Sequence, residues 1–287
     1  MPHPSPTTET LDCLRQLIGF DSTSRNSNLE LIDWAEAHLS AHGARIRRSY
    51  NRERTKANLF ASFGEGPGGV VLSGHTDVVP VDGQNWSTDP FKADIRDGRL
   101  YGRGACDMKG FIGVVLGKAH VLSKARLDAP IHVALSYDEE VGCIGVRDLL
   151  ADLAEAGIKP ALAIIGEPTE MRVVGAHKGG AVLHTHCHGR EGHSSAPDKG
   201  ANAVMMAGEF IGLIERTAQE LKSDRDERFD PPSTTVQANM IAGGSAVNIL
   251  ARDARVTWEC RHLPDRDGDA VIAGIKDRAA RDILPKY

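Results

Sequence analysis

Short apolar runs recur along the chain, at 58–63, 70–73, 131–136 and 161–165. Helical patterns at 108–123 and 146–156 separate the later runs. Strands that alternate with helices predict an α/β fold: a mostly parallel sheet with helices on both faces. Upstream, Leu11, Leu14, Leu17 and Ile18 recur at helical spacing, with Thr7 and Thr8 as candidate caps. A second helix is predicted after Asn28, with Leu31, Ala35 and Leu39 on its inner face.

Ligands of such sheets bind outside the carboxyl ends of the strands. His75, Glu139, Glu140 and Glu167 each fall just past the carboxyl end of a predicted strand. Asp107 is read as opening a helix after the turn-rich stretch 101–104. Four clusters separated in sequence are thereby directed to one rim: Gly74-His75-Thr76-Asp77, Asp107-Met108-Lys109-Gly110, Asp138-Glu139-Glu140 and Gly166-Glu167-Pro168-Thr169.

The pattern changes near Gly179. Residues 181–188 alternate as a half-exposed antiparallel strand does. A helix follows at about 201–221, then strand-like runs at 234–241 and 254–260, then a helical pattern at 269–283. That β-α-β-β-α order predicts a smaller α+β ferredoxin-like unit without its last strand. The expected division is a catalytic domain over 1–178 and a lid or dimerisation domain over 179–287, both incomplete.

Composition narrows the function classes. A formal net charge of −5 over 287 residues leaves no broad basic footprint for nucleic acid. The five cysteines, Cys13, Cys106, Cys143, Cys187 and Cys260, are scattered and never form CxxC, as expected of reduced thiols. Residues 1–6 lack the basic and apolar regions of a signal peptide, and no run approaches a membrane span. The expectation is a soluble cytoplasmic protein.

The clusters carry the chemistry of a zinc hydrolase. Zinc takes imidazole nitrogen and carboxylate oxygen, and catalytic sites keep a position open for water or substrate. His75 supplies nitrogen, Asp107 can bridge two metals, and Glu140 and Glu167 can be terminal ligands. Asp77 is suited to hold the other imidazole nitrogen. Adjacent carboxylates repel when both are ionised, so a cation beside Glu140 explains the pairing and leaves Glu139 free to move protons. Singly, each cluster has an ordinary reading: a buried His–Asp pair, a helix start, a turn, an N-cap. Their order and shared rim favour the joint reading. His184, His186 and His188 share one face of a strand without a carboxylate, and are read as residues of a solvent or dimer face rather than ligands.

With those residues identified, the chain resembles the zinc-dependent aminoacylase and carboxypeptidase family over essentially its whole length. The resemblance rests on residues 73–80 (SGHTDVVP), 101–110 (YGRGACDMKG) and 138–140 (DEE). Residues 165–169 (IGEPT), 176–179 (AHKG) and 192–195 (GHSS) are closer to the acetylornithine branch than to the succinyl-diaminopimelate branch. The resemblance implies two Zn²⁺ per subunit, with Co²⁺ as a substitute: His75, Asp107 and Glu167 hold one, Asp107 and Glu140 the other. It implies Glu139 as general acid/base and His193 as an oxyanion stabiliser from the lid, in this family usually acting in the partner subunit's site. Asn248 and Arg261 match substrate-carboxylate positions, where the planar guanidinium fork suits bidentate binding.

The implied activity is hydrolysis of N-acetyl-L-ornithine to acetate and L-ornithine in arginine biosynthesis, by a homodimer acting on small N-acyl amino acids. Neither nucleic acid nor membrane is an expected partner. Desuccinylation of succinyl-diaminopimelate, a broader N-acyl amino acid hydrolase or dipeptidase, and an inactive relic are the alternatives. The family's second zinc normally receives a histidine from after the lid, whereas the last histidine here is His262. The resemblance therefore implies a C-terminally truncated chain with a weakened second site.

Overall fold

The computed structural model describes residues 5–287, so the expectation for the extreme N-terminus falls partly on residues 1–4, outside the described part. The chain divides into two compact units, one ending at Arg172 and the other spanning Val173–Tyr287.

The first unit opens with α1 (Thr8–Gly19), capped by the Thr7 side chain, which accepts the Thr10 N–H at 3.3 Å. Next is α2 (Leu29–Ala41), which buries Leu31, Ile32, Ala35 and Leu39. Strands β1 (Arg45–Tyr50), β2 (Ala57–Phe63) and β3 (Val70–His75) follow, then a small hairpin of β4 (Asp94–Arg96) and β5 (Arg99–Tyr101). The helical pattern at 108–123 forms two pieces, α3 (Lys109–Gly117) and α4 (Ala119–Leu122), broken at Lys118. The unit closes with β6 (Ile131–Ser136), α5 (Gly145–Glu155) and β7 (Leu162–Ile165).

The sheet order is β1-β2-β6-β3-β7. Pairings β6–β3 and β3–β7 are parallel, as the crossover helices require, while β1–β2 and β2–β6 are antiparallel. β2 is buried on both faces. Its Leu59, Ala61 and Phe63 join α1, α2 and α3 in one core, and Phe60 joins Leu149 and Leu153 of α5 in the other. The period of two assigns alternate side chains to opposite layers. α1 lies close on α3 because Gly117 has no side chain: a Cβ there would meet the Thr10 backbone at 2.7 Å. Edge strand β7 is exposed on both faces despite its Leu-Ala-Ile-Ile sequence.

β1 lacks the apolar signal of a strand, because Arg45-Ile46-Arg47-Arg48-Ser49-Tyr50 carries a single aliphatic residue. Its charges are matched by neighbours instead: Arg47 pairs with Asp152, and Arg48 with Asp33 and Glu36.

The second unit contains β8 (Gly179–His188), α6 (Ala203–Leu221), β9 (Thr235–Gly243), β10 (Asp253–His262) and α7 (Gly268–Asp282). Its antiparallel sheet has the order β8-β10-β9. One face packs on α6 and α7 around Trp258, which is 1% exposed. The other face carries the three exposed histidines of β8; His184 contacts Thr257 Oγ1 at 3.0 Å and His188 contacts Asp253 at 2.7 Å. Among the described residues, no helix is long and apolar enough to cross a membrane.

Candidate metal centre and active site

The parallel strands β3 and β7 and the start of α3 direct three potential ligands to one point. One donor atom each from His75, Asp107 and Glu167 lies within 4.8 Å of the others. His75 Nε2 is 3.0 Å from Asp107 Oδ1, 3.7 Å from Glu167 Oε1 and 3.9 Å from Glu139 Oε2. Two ligands on one tetrahedral zinc, each bonded at roughly 2.0–2.2 Å, are about 3.3–3.6 Å apart. Donor types and spacing therefore both fit a zinc-like ion.

His75 is buried and its tautomer is constrained. Nδ1 lies 2.9 Å from the main-chain oxygen of Asp77, which can only accept, so the neutral ring carries its proton on Nδ1. That leaves the Nε2 lone pair facing the carboxylates. Asp77 thus holds the imidazole through its main chain, with its own carboxylate 3.5 Å from Nδ1. The carboxylate is held in turn by Ser24 Oγ at 2.7 Å and by the backbone N–H groups of Glu139 and Glu140 at 3.0 and 3.2 Å.

The local field favours positive charge. Burial opposes protonation of His75, but the Asp77, Glu167 and Glu139 carboxylates outweigh it and raise its pKa to about 9. Burial also works against the Asp77 anion, yet His75, Ser24 and the Glu139 N–H prevail and lower its pKa. Glu140 and Glu167 are raised, first by burial and then by neighbouring carboxylates, Asp107 foremost. A divalent cation relieves this mutual repulsion directly.

Asp107 does not cap a helix. The cap position of α3 is Met108, and the cluster uses the Asp107 carboxylate for His75. Gly166, just before Glu167, leaves room for the Phe111 ring of α3, whose Cγ lies 2.0 Å from where a Cβ would sit. Glu140 is outside the three-residue group, although its carboxyl feels the charges of Asp107, His75, Glu139 and Asp77. Cys143 Sγ donates to Glu139 Oε1 at 3.4 Å.

In the second unit, segments 192–195 and 248–250 meet. His193 bridges Ile249, and the Asn248 main-chain oxygen accepts the Ser194 N–H at 3.0 Å. The exposed His193 ring is steadied by Ser195, whose hydroxyl lies 2.8 Å from Nδ1. Arg261 lies elsewhere, on β10 opposite Gly180, with its guanidinium 3.2 Å from Glu259. Ser24 carries no signal in the sequence; it acts on a residue more than fifty positions away, and no local pattern marks such a contact.

A model of Peptidase family M20/M25/M40 matches residues 71–257. Acetylornithine deacetylase of Myxococcus xanthus is 40% identical over 289 residues, covering 96% of this chain and 74% of that protein. Among solved structures, an M20 family metallo-carboxypeptidase from Sulfolobus solfataricus aligns with a TM-score of 0.75 at 18% identity, covering 96% of this chain and 76% of the other. A dinuclear metal binding peptidase of the M20 family from Bacillus subtilis aligns with a TM-score of 0.64 at 17% identity, covering 98% and 70%. At those identities the structural likeness concerns the fold.

Proposed function

Because this chain belongs to peptidase family M20/M25/M40, whose members are metal-dependent hydrolases of amide bonds, we propose that it removes the acetyl group from N-acetyl-L-ornithine. The observation that carries the metal chemistry is the convergence of His75, Asp107 and Glu167 on one point. The 40% identity to an acetylornithine deacetylase supports the substrate.

In this reading His75, Asp107 and Glu167 hold one zinc, and Asp107 and Glu140 contact a second, with Co²⁺ able to substitute. Metal ions there would lower the pKa of water toward 7 and polarise the acyl carbonyl. Glu139 takes the proton of the attacking water and delivers it to the departing amine, a transfer for which its carboxylate, 3.9 Å from His75 Nε2, is suitably close to the ligands. Asp77 keeps the His75 ring oriented with Nε2 toward the ligands. His193 steadies the oxyanion, and Asn248 and Arg261 bind the substrate carboxylate. A catalytic domain over 1–178 and a lid over 179–287, a homodimer built through that lid, a cytoplasmic location and a role in arginine biosynthesis belong to the same proposal.

A substrate panel tests it. Zinc-supplied protein is expected to release amine from N-acetyl-L-ornithine faster than from N-succinyl-diaminopimelate or dipeptides, with Glu139→Ala silent on all. Preference for another member of the panel would transfer the protein to that activity.

A further inference from the structure

The loop that carries Glu139 and Glu140 has an unusual start. Asp138 follows the buried Tyr137 at φ +54, a left-handed conformation that a non-glycine residue seldom adopts. The loop then closes on itself: Ile144 N–H reaches Asp138 O at 2.9 Å, Gly142 and Cys143 N–H reach Glu139 O at 2.9 Å, and Gly145 N–H reaches Tyr137 O at 3.2 Å. From this turn the Asp138 side chain forms an ion pair with Lys56.

Lys56 directly precedes β2, which runs antiparallel to β6, so the start of one strand lies beside the end of the other. Its ammonium makes two contacts, to the Asp138 carboxylate and to the main-chain oxygen of Ser24. Ser24 in turn gives its hydroxyl to Asp77 and its N–H to Val78 O at 3.2 Å. Lys56 thereby joins the segment that holds Asp77 to the segment that presents Glu139 and Glu140. Both charges are largely buried, at 13% and 16% side-chain exposure, so water screens the pair weakly.

We infer that Lys56 is a positioning residue for the metal centre, acting through left-handed Asp138 on the carboxylate loop and through Ser24 on the Asp77–His75 pair. Its ammonium is engaged by Asp138 and Ser24, outside the His75, Asp107 and Glu167 group. The inference rests on the metal-centre reading above and assigns Lys56 and Asp138 a part in it.

The test is zinc affinity, measured by chelator competition on folded wild type, Lys56→Met, Lys56→Arg and Asp138→Asn, with melting temperatures alongside. Lys56→Met is expected to weaken zinc binding by roughly 10–100-fold, the scale typical of residues that orient ligands. Lys56→Arg should restore most of it. Asp138→Asn, which keeps the left-handed backbone accessible, should match Lys56→Met, and the double variant should be no worse than either single. Should Lys56→Met fail to fold, Asp138→Asn carries the same expectation. Wild-type affinity in the variants, with only melting temperatures lowered, would overturn the role of Lys56 and leave the metal centre standing. Absence of zinc binding in the wild type would overturn both.

Discussion

The Asp77 carboxylate accepts the backbone N–H of Glu139 at 3.0 Å, joining the tail of β3 to the loop after β6. One residue therefore serves two tasks. Its main chain orients His75, and its carboxylate fixes where the proton-transfer residue begins. The same carboxylate also receives Ser24 and the Glu140 N–H, so all its partners donate.

Asp77→Asn replaces an acceptor with a group that is half donor, opposing at least one of those three N–H or O–H groups. Zinc affinity should fall by roughly 10–100-fold, the usual range for a lost ligand-orienting contact. Chelator competition measures it; an unchanged affinity would show that Asp77 is structural only.

Glu139→Gln keeps the backbone contact to Asp77 while removing the proton carrier. Turnover should fall by about 10²–10⁴-fold, the typical contribution of general acid–base catalysis. Zinc bound per chain should be unchanged. Loss of zinc along with activity would instead make Glu139 a ligand.

Gly166→Ala places a methyl group into the Phe111 ring, so either the ring or the Glu167 loop must move. The expected result is a zinc affinity lowered at least tenfold, with a smaller change in melting temperature. Partial recovery on adding Phe111→Ala would identify the clash as the cause.

Two buried groups oppose each other in pH dependence. His75, raised to about 9, stabilises the chelated protein fully below its unfolded value near 6.5 and loses that contribution as pH rises through 9. Lys109, lowered by burial to about 7, has the opposite sign: its penalty is full below 7 and is relieved toward 10.5. Between pH 7 and 9 the two should largely offset, giving a nearly flat melting temperature for chelated wild type. Lys109→Met should remove the compensation, so that its melting temperature falls over that interval. A rise there would reverse the sign assigned to His75.

Much of the rim was legible because strands and helices alternate with distinct periods, and three of the four clusters stand where strands end while the Asp107 cluster stands where α3 begins. The burial of β2 and the helix faces of α1 and α2 follow from spacing alone. What escaped was carried by contacts between distant segments. β1 depends on Asp152, Asp33 and Glu36 to match its arginines, and no local pattern reveals those partners. The β4–β5 hairpin had a local signal in Asp97-Gly98, both at positive φ, but its three-residue strands are too short to show alternation. The Lys56–Asp138 pair brings together residues 82 positions apart.

Zinc X-ray absorption on the chain loaded with one equivalent of zinc reads the ligand set itself. The expected coordination shell is a single imidazole and otherwise oxygen, with the imidazole signal lost in His75→Ala. The thiols of Cys106 and Cys143 are exposed beside or near Asp107 and Glu139, so sulfur is an available competitor. Sulfur in the shell, or an imidazole that persists without His75, would contradict a metal centre built on His75, Asp107 and Glu167.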